Sequence, residues 1–208
     1  MSSSINLAYD SQIIIYYCFS FNVIVHGEEV PIKYDSATDK IQEYTRVRIE
    51  QNDRLGTINQ VWDEISDEAA HIIVDDALKD RSFQLQFEAE GIPITRLLQQ
   101  LLVKKFQSKI NKLKNKEWFD VISFPVQEER KMQVKQFYRG LLDNPKMQSH
   151  LARKGRKSPI PEGADIPLIL FSDEYSTPVL TNDADITEFE QELKEAGFSV
   201  QIIAFSEI

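Results

Sequence analysis

Several aspartates follow short apolar stretches of the sequence, where an acid is unusual. Asp10 ends the stretch at residues 5–10, and Asp183 and Asp185 follow the apolar pair Val179-Leu180. A bare acid at the end of a buried strand is costly, because it loses hydration without gaining a partner. Carboxylates that converge also raise one another's pKa unless a cation relieves their repulsion. These positions therefore indicate a cation-binding site.

Two further acids are placed to join that site. Glu64 lies in a predicted helix at residues 59–78, and Asp165 begins another predicted helix 18 residues before Asp183. In a parallel sheet, ligands bind beyond the carboxyl ends of the strands, where these acids can converge. A cluster of oxygen ligands without His or Cys favours Mg²⁺ or Mn²⁺ over zinc. Asp165 and Asp185 also fit the role of helix N-caps, so both interpretations stay open for them.

The elements that must position these acids alternate between strands and helices. Strands are predicted at residues 5–10, 118–126, 177–180 and 198–205. Helices are predicted at residues 35–52, 59–78, 91–116, 127–142, 164–175 and 186–197. Residues 13–19 fit either a turn after the first strand or the start of a helix. The alternation predicts an α/β fold with a central parallel sheet covered on both faces, most simply as one domain.

Charge is strongly segregated along the chain, although the net charge is -9. Residues 101–160 carry 15 basic and 5 acidic side chains, and the segments on either side are acidic. One contributor is the helix at residues 91–116, which combines six lysines with an apolar stripe of Leu97, Leu98, Leu101, Leu102, Phe106, Ile110 and Leu113. The other is a predicted basic loop at residues 150–163. A concentrated basic segment can neutralise backbone phosphates, which makes nucleic acid a candidate ligand despite the acidic total.

Other features of the sequence exclude several classes of protein. Cys18 is the single cysteine, so a disulfide framework is excluded and a reducing compartment is expected. The apolar stretch at residues 13–25 is too short to span a bilayer and has no basic residue before it, so we expect a cytoplasmic protein without a membrane segment. The chain holds no Ser-His-Asp order, Gly-rich phosphate loop or CxxC motif. Its histidines, His26, His71 and His150, lack ligand spacing and are predicted to lie on the surface or in ordinary packing.

Three stretches together resemble the PIN domain, a metal-dependent nuclease fold. The family opens on a strand that ends in Asp-Thr/Ser-Asn, and Asp10-Ser11-Gln12 stands in that place. A helical Glu follows in the family, which matches Glu64, and then an Asp that heads a helix, which matches Asp165. The family's strand ending in Thr-Asn-Asp-x-Asp matches the segment containing Asp183 and Asp185. Gln12 in place of Asn, the extra length at residues 22–34 and the lysine-rich helix depart from the pattern.

The resemblance implies a three-layer α/β/α, PIN-like domain over residues 1–208, with a lysine-rich helical elaboration around residues 91–117. It implies a divalent-metal-dependent nuclease that hydrolyses phosphodiester bonds, with single-stranded RNA as the family's preference. The catalytic residues would be Asp10, Glu64, Asp165 and Asp183, and the same four with Asp185 would bind Mg²⁺ or Mn²⁺. Substrate would contact Ser11, Thr181, Arg153, Lys154, Arg156 and Lys157, although plain turn roles fit Ser11 and Thr181 equally well.

The partners implied are RNA, a cognate antitoxin or other inhibitor if the protein is a toxin, and a second copy of the chain. Two alternatives remain beside the nuclease. One is a PIN fold that binds nucleic acid or protein without cleaving it; a missing acid would favour that interpretation, and all four acids are present. The other is a receiver-like protein in which Asp10 accepts phosphate. Such proteins need a lysine after a late strand, and the last 48 residues hold only Lys194.

Overall fold

The computed structural model describes residues 5–25, 27–34, 36–66 and 68–208. Five of its strands form one sheet, in which every neighbouring pair runs parallel. The spatial order is β5-β4-β1-β6-β7, with β1 at Leu7–Tyr9, β4 at Leu55–Ile58, β5 at Phe119–Ile122, β6 at Val179–Thr181 and β7 at Ile202–Ala204. A separate antiparallel hairpin joins β2, Ser20–Val25, to β3, Glu28–Lys33.

Helices cover both faces of the sheet. They are α1 Ser11–Cys18, α2 Ser36–Glu50, α3 Asn59–Glu64, α4 Ala70–Lys79, α5 Arg81–Ala89, α6 Arg96–Lys114, α7 Glu128–Gly140, α8 Pro145–Lys154, α9 Asp165–Tyr175, α10 Ala184–Thr187 and α11 Glu190–Glu195. A 3₁₀ turn, Phe205–Glu207, follows the last strand. One group packs around α1, which contacts α2, α3 and α6, and another packs around α9, which contacts α7 and α10. The predicted three-layer α/β/α class with a central parallel sheet is confirmed.

The central strands have no solvent-facing side, as expected for parallel strands covered by helices on both faces. Every residue of β1, β4 and β6 is buried. Gly56 lets β4 and β5 approach, because a Cβ built there would lie 2.3 Å from the carbonyl oxygen of Asp120. The sheet is therefore a rigid platform on which the carboxyl ends of β1 and β6 lie side by side.

The sequence patterns locate most elements but merge or miss some of them. The helix predicted at residues 59–78 is two helices, α3 and α4. The helix predicted at residues 186–197 is likewise divided into α10 and α11. Residues 13–19, which fitted two interpretations, are mostly helical, in α1. The β2–β3 hairpin, β4, α5 and α8 have no counterpart among the predicted elements.

The basic stretch at residues 150–163 is not simply a loop. Its first part is the last turns of α8, which ends where Gly155 takes the left-handed conformation at φ +63°. Gly at this position is a common way to end a helix, because it has no Cβ to clash there. His150, Arg153 and Lys154 are therefore held on a helix, and only the residues after Gly155 form the connection to α9.

The stripe predicted on α6 is largely but not wholly core. The buried members of the stripe are Leu98, Leu102, Phe106, Ile110 and Leu113, and Val103 is buried beside them. Leu97 and Leu101 lie on the outer side, and Leu97 is 78% exposed. None of the helices that the structure describes combines the length and apolar character needed to cross a membrane.

Candidate metal centre

One open cavity of about 710 Å³ collects all five acids selected from the sequence. It lies beyond the carboxyl edge of the sheet and is lined by Asp10, Glu64, Asp165, Asp183 and Asp185. Asp10 directly follows β1, and Asp183 lies two residues past β6, the strand that pairs with β1. Parallel pairing brings these two positions together, which is why acids 173 residues apart in sequence share one cavity.

Asp10 is buried and held on both of its carboxylate oxygens. Oδ1 accepts a hydrogen bond from the backbone N–H of Ser11 at 2.5 Å, and Oδ2 accepts one from Thr181 Oγ1 at 2.6 Å. Burial raises the pKa of the Asp10 carboxyl to about 6; the two hydrogen bonds lower it, and the charges of Asp183 and Glu64 raise it. Ser11 and Thr181 thus orient the carboxylate of Asp10.

Asp165 is the most perturbed acid of the cavity. Burial, followed by the charges of Asp183, Asp10, Asp185 and Glu64, raises its pKa to about 9. None of the described residues donates a hydrogen bond to its carboxylate, and the N-cap of α9 is Ala164 rather than Asp165. Its interpretation as a helix cap is therefore wrong. A carboxyl in this environment stays protonated at neutral pH unless a cation is close by.

Asp165, Asp183 and Asp185 form the compact group of the cavity. One carboxylate oxygen from each lies within 4.8 Å of the others. Asp183 is the N-cap of α10, since its Oδ1 accepts from the backbone N–H of Asp185 at 2.7 Å. Asp185 therefore lies in the first turn and is not the cap, the second role that the sequence left open for it.

Basic side chains already surround Asp185. Lys154 Nζ lies 2.7 Å from Asp183 Oδ1 and 3.2 Å from Asp185 Oδ2, and Arg156 Nη2 lies 2.5 Å from Asp185 Oδ1. Burial raises the pKa of Asp185, but hydrogen bonds from His150, Lys154 and Arg156 outweigh it and hold the pKa below its ordinary value. The cavity therefore holds one carboxyl with a lowered pKa, that of Asp185, beside one with a raised pKa, that of Asp165.

His150 is the residue of this site that the sequence analysis missed. It is 1% exposed, its Nε2 is hydrogen-bonded to Asp185 Oδ1, and its Nδ1 lies 3.0 Å from Glu188 Oε2. The prediction of surface or ordinary packing is wrong for His150, whereas His71 is exposed as expected, and His26 lies outside the described residues. No sequence spacing signals the contact, because α8 and α10 meet only through the tertiary fold.

Glu64 occupies the rim of the cavity and is tied to the start of α9. Its Oε1 accepts a hydrogen bond from the backbone N–H of Ala164 at 2.7 Å. Gly163 makes this approach possible: its φ is +56°, and a Cβ there would lie 2.1 Å from Glu64 Oε1. Neither Glu64 nor Asp10 belongs to the compact group of three acids, although both line the same cavity.

The four predicted phosphate-binding residues divide into two pairs. Lys154 and Arg156 line the cavity. Arg153 forms an ion pair with Glu188 instead, and Lys157 is exposed on the connection to α9. Only half of the predicted basic cluster, one residue of α8 and one that follows Gly155, therefore lines the cavity with the acids.

The donor chemistry of the compact group fits a hard divalent cation. Three carboxylates supply oxygen alone, and oxygen ligands are those preferred by Mg²⁺, Mn²⁺ and Ca²⁺. Burial is the largest cause of the raised pKa of Asp165, and the charge of Asp183 is the next. A cation between them would relieve that repulsion.

No protein-family model matches the sequence, and no curated protein matches it. Among solved structures, the chain is similar to one chain in the crystal structure of VapBC2 from Rickettsia felis bound to a DNA fragment from their promoter. The similarity covers 95% of this chain and 97% of that chain, at 12% identity and a TM-score of 0.43. A likeness of this degree assigns no function, so the function proposed below depends on the site itself.

Proposed function

We propose that the protein is a divalent-metal-dependent nuclease that hydrolyses phosphodiester bonds. The observation that carries the proposal is the group of Asp165, Asp183 and Asp185, whose carboxylate oxygens lie within 4.8 Å at the carboxyl edge of a parallel sheet. Asp10 and Glu64 line the same cavity and complete the set of acids that the PIN-domain resemblance implies. Mg²⁺ or Mn²⁺ is the proposed cofactor.

A cation bound by these carboxylates would supply an activated water and stabilise charge on the transferring phosphate. Asp165, Asp183 and Asp185 are the proposed ligands of the compact group, and Asp10 faces them with an orientation fixed by Ser11 and Thr181. Glu64 anchors the backbone at Ala164, one residue before Asp165, and so positions that ligand. We include Asp10 and Glu64 as catalytic residues because both carboxylates line the cavity.

Lys154 and Arg156 are the proposed phosphate contacts. Both lie at the cavity wall within ion-pair distance of the acids. A cation that neutralises Asp183 and Asp185 leaves the Lys154 ammonium available to a phosphate oxygen of the substrate. Single-stranded RNA is the proposed substrate. Arg153 and Lys157 are more peripheral and would contribute through long-range attraction to the strand.

The second candidate is a PIN-like module that binds nucleic acid or protein without cleaving it. The specific observation in its favour is that Lys154, Arg156 and His150 already compensate the charge of Asp185 and part of that of Asp183. In that case the basic side chains serve in place of a cation. The two candidates differ in whether the purified protein binds a divalent ion at Asp165.

A cleavage assay on single-stranded RNA and DNA oligonucleotides tests the proposal. We expect RNA cleavage with Mg²⁺ or Mn²⁺ and none with EDTA. If the protein binds the oligonucleotide but does not cleave it with any of the divalent ions added, the result would favour the PIN-like module that binds without cleaving. Calorimetric titration with Mn²⁺ is the second readout, and absence of binding in wild-type protein would contradict the metal site.

Two protein partners are proposed on the PIN-domain resemblance alone: an antitoxin or other protein inhibitor, and a second copy of this chain. We also propose that residues 1–208 form a single domain, with α6 and its flanking residues as the elaboration, and that it acts in the cytoplasm. Light scattering of the purified protein measures the oligomeric state, and a monomer at all concentrations would exclude the homodimer.

A further inference from the structure

The lysines of α6 and of the residues that follow it are a concentration of positive charge away from the acidic cavity. The helix carries Arg96 and five lysines but no acidic residue, in a protein whose net charge is -9. Ion pairs elsewhere are frequent, yet within the described part of the chain none of the lysines at 104, 105, 109, 112, 114 and 116 pairs with a carboxylate. The α6 lysines are thus available to an external anion.

Three of these lysines converge on one cavity. Lys109, Lys112 and Lys116 line a space of about 410 Å³, whose remaining wall includes Tyr17 and Gln42. Lys109 is close enough to the buried Cys18 to lower the pKa of its thiol, although burial dominates and raises that pKa. Lys109 and Lys112 lie three residues apart on one face of α6, and Lys116 follows just after the helix ends at Lys114.

A second cavity of about 370 Å³ adjoins the first and shares Tyr17, Gln42 and Lys116 with it. Trp118 forms part of its wall and meets the Tyr17 ring edge-to-face, with ring centroids 6.0 Å apart. Glu50 also lines this cavity, but its carboxylate is held by Arg46. We call the two cavities together the lysine groove.

The lysine groove lies at the opposite edge of the sheet from the acids. Helix α1 starts at its N-cap Asp10 in the acidic cavity and ends at Cys18 in the groove. Its eight residues separate the two places by about 12 Å at a rise of 1.5 Å per residue. Trp118 lies before β5, at the amino edge, where its carbonyl accepts from Leu55 N–H. The groove is therefore distinct from the candidate metal centre.

We propose that the lysine groove binds single-stranded nucleic acid, with phosphates on Lys109, Lys112 and Lys116 and bases against Tyr17 and Trp118. Lysines beside partly exposed aromatic rings are a combination that binds single strands, because the lysines contact phosphates and the rings stack on bases. An acidic peptide would use the lysines but would have no need of the aromatic wall. The inference deepens the proposed nuclease function, since the strand held here would be the substrate of the acidic site.

The test is fluorescence anisotropy of the full chain with single-stranded RNA and DNA of about 20 nucleotides in EDTA, so that no cleavage occurs. The variant is Lys109→Gln/Lys112→Gln/Lys116→Gln. Its matched control is Lys104→Gln/Lys105→Gln/Lys114→Gln, which removes the same charge in the same part of the chain but lines neither cavity. Tyr17→Leu removes the aromatic ring alone.

We expect the groove variant to bind at least tenfold more weakly than the control. The slope of the logarithm of its binding constant against the logarithm of salt concentration should become shallower by about two, since each lost single-strand phosphate contact removes about 0.7. Tyr17→Leu should weaken binding without changing the salt slope. Equal affinity of the groove variant and the control would overturn the inference, as would competition by polyglutamate as effective as that by polyuridylate. Manganese-dependent cleavage by wild-type protein is read separately, so failure at the acidic site is distinguishable from failure of the groove.

Discussion

At the scale of single residues, the site depends on acids that the fold forces together. Asp10 and Asp165 have pKa values raised to about 6 and about 9, first by burial and then by neighbouring carboxylates. Asp185 is stabilised as an anion by three basic side chains. The folded, metal-free protein must therefore hold protons that the unfolded chain releases, and this difference makes stability depend on pH.

The metal-free protein is expected to lose stability as pH rises. Both folded pKa values lie above the ordinary aspartate value of 3.8, so the stability present below pH about 4 falls progressively up to pH about 9. Millimolar Mn²⁺ should flatten this decline, because a bound cation replaces the protons. The measurement is the melting temperature from pH 5 to pH 9, with EDTA and with Mn²⁺.

Asp165→Asn isolates the contribution of the most perturbed acid. Its melting temperature in EDTA should fall less steeply with pH than that of wild type, and it should respond weakly to Mn²⁺. Asp143→Asn, at an exposed position away from the cavity, is the control and should follow wild type. If the melting temperatures of wild type and Asp165→Asn depend on pH in the same way, Asp165 is not the acid whose raised pKa destabilises the metal-free protein.

At the scale of elements, two local contacts hold the acids in place. The start of α9 is fixed by Glu64, whose carboxylate accepts the Ala164 N–H beside a left-handed Gly163. The first turn of α10 is fixed by α8, through His150 and Lys154. Each contact joins elements that are remote in sequence, and each can be removed separately.

Gly163→Ala is expected to displace Glu64 as well as strain the backbone. An L-residue in the left-handed region costs about 1–2 kcal/mol, and here its Cβ would also meet Glu64 Oε1 at 2.1 Å. Gly91→Ala is a matched control, because Gly91 has φ +65° and an added Cβ would meet nothing within 4 Å. Chemical denaturation should show a larger loss for Gly163→Ala, together with weaker Mn²⁺ binding. Equal losses of unfolding free energy in the two variants would mean that the hydrogen bond between Glu64 and Ala164 does not contribute to stability.

His150→Ala is expected to lower the free energy of unfolding by about 2–3 kcal/mol, since it leaves a buried carboxylate short of a hydrogen bond. For a domain of this size, that corresponds to a fall in melting temperature of roughly 4–12 °C. His71→Ala, at an exposed position, is the control. A melting temperature for His150→Ala equal to that of the control would show that the contact between His150 and Asp185 does not stabilise the fold.

At the scale of the whole molecule, the sequence predicts a central parallel sheet and the edge at which its acids lie, but it misses the central strand β4. Asp10 and Asp183 could be found because an acid behind a buried strand is rare and has a defined position in a parallel sheet. His150 could not be found, because its contact with Asp185 crosses between helices that share no sequence pattern. The whole of α8 was missed, because basic side chains and turn residues mask the helical periodicity there.

The sequence alone also could not decide which of the acids cap helices. Asp185 and Asp165 both read as potential N-caps, but the caps are Asp183 and Ala164. The β2–β3 hairpin was missed for a different reason: its strands follow a helix whose apolar residues give the same unbroken hydrophobic run. Periodicity alone does not distinguish a buried helix from a strand in such a run.

The most direct test of the central claim is manganese-dependent cleavage of single-stranded RNA by Asp183→Asn. Asparagine keeps the oxygen that accepts the Asp185 N–H and remains a good N-cap, so the fold should be retained. We expect cleavage to fall at least about 100-fold, because the cation loses a charged ligand, while the melting temperature in EDTA stays close to that of wild type. Asp143→Asn should remain active. Cleavage by Asp183→Asn at the wild-type rate would contradict the proposed metal centre.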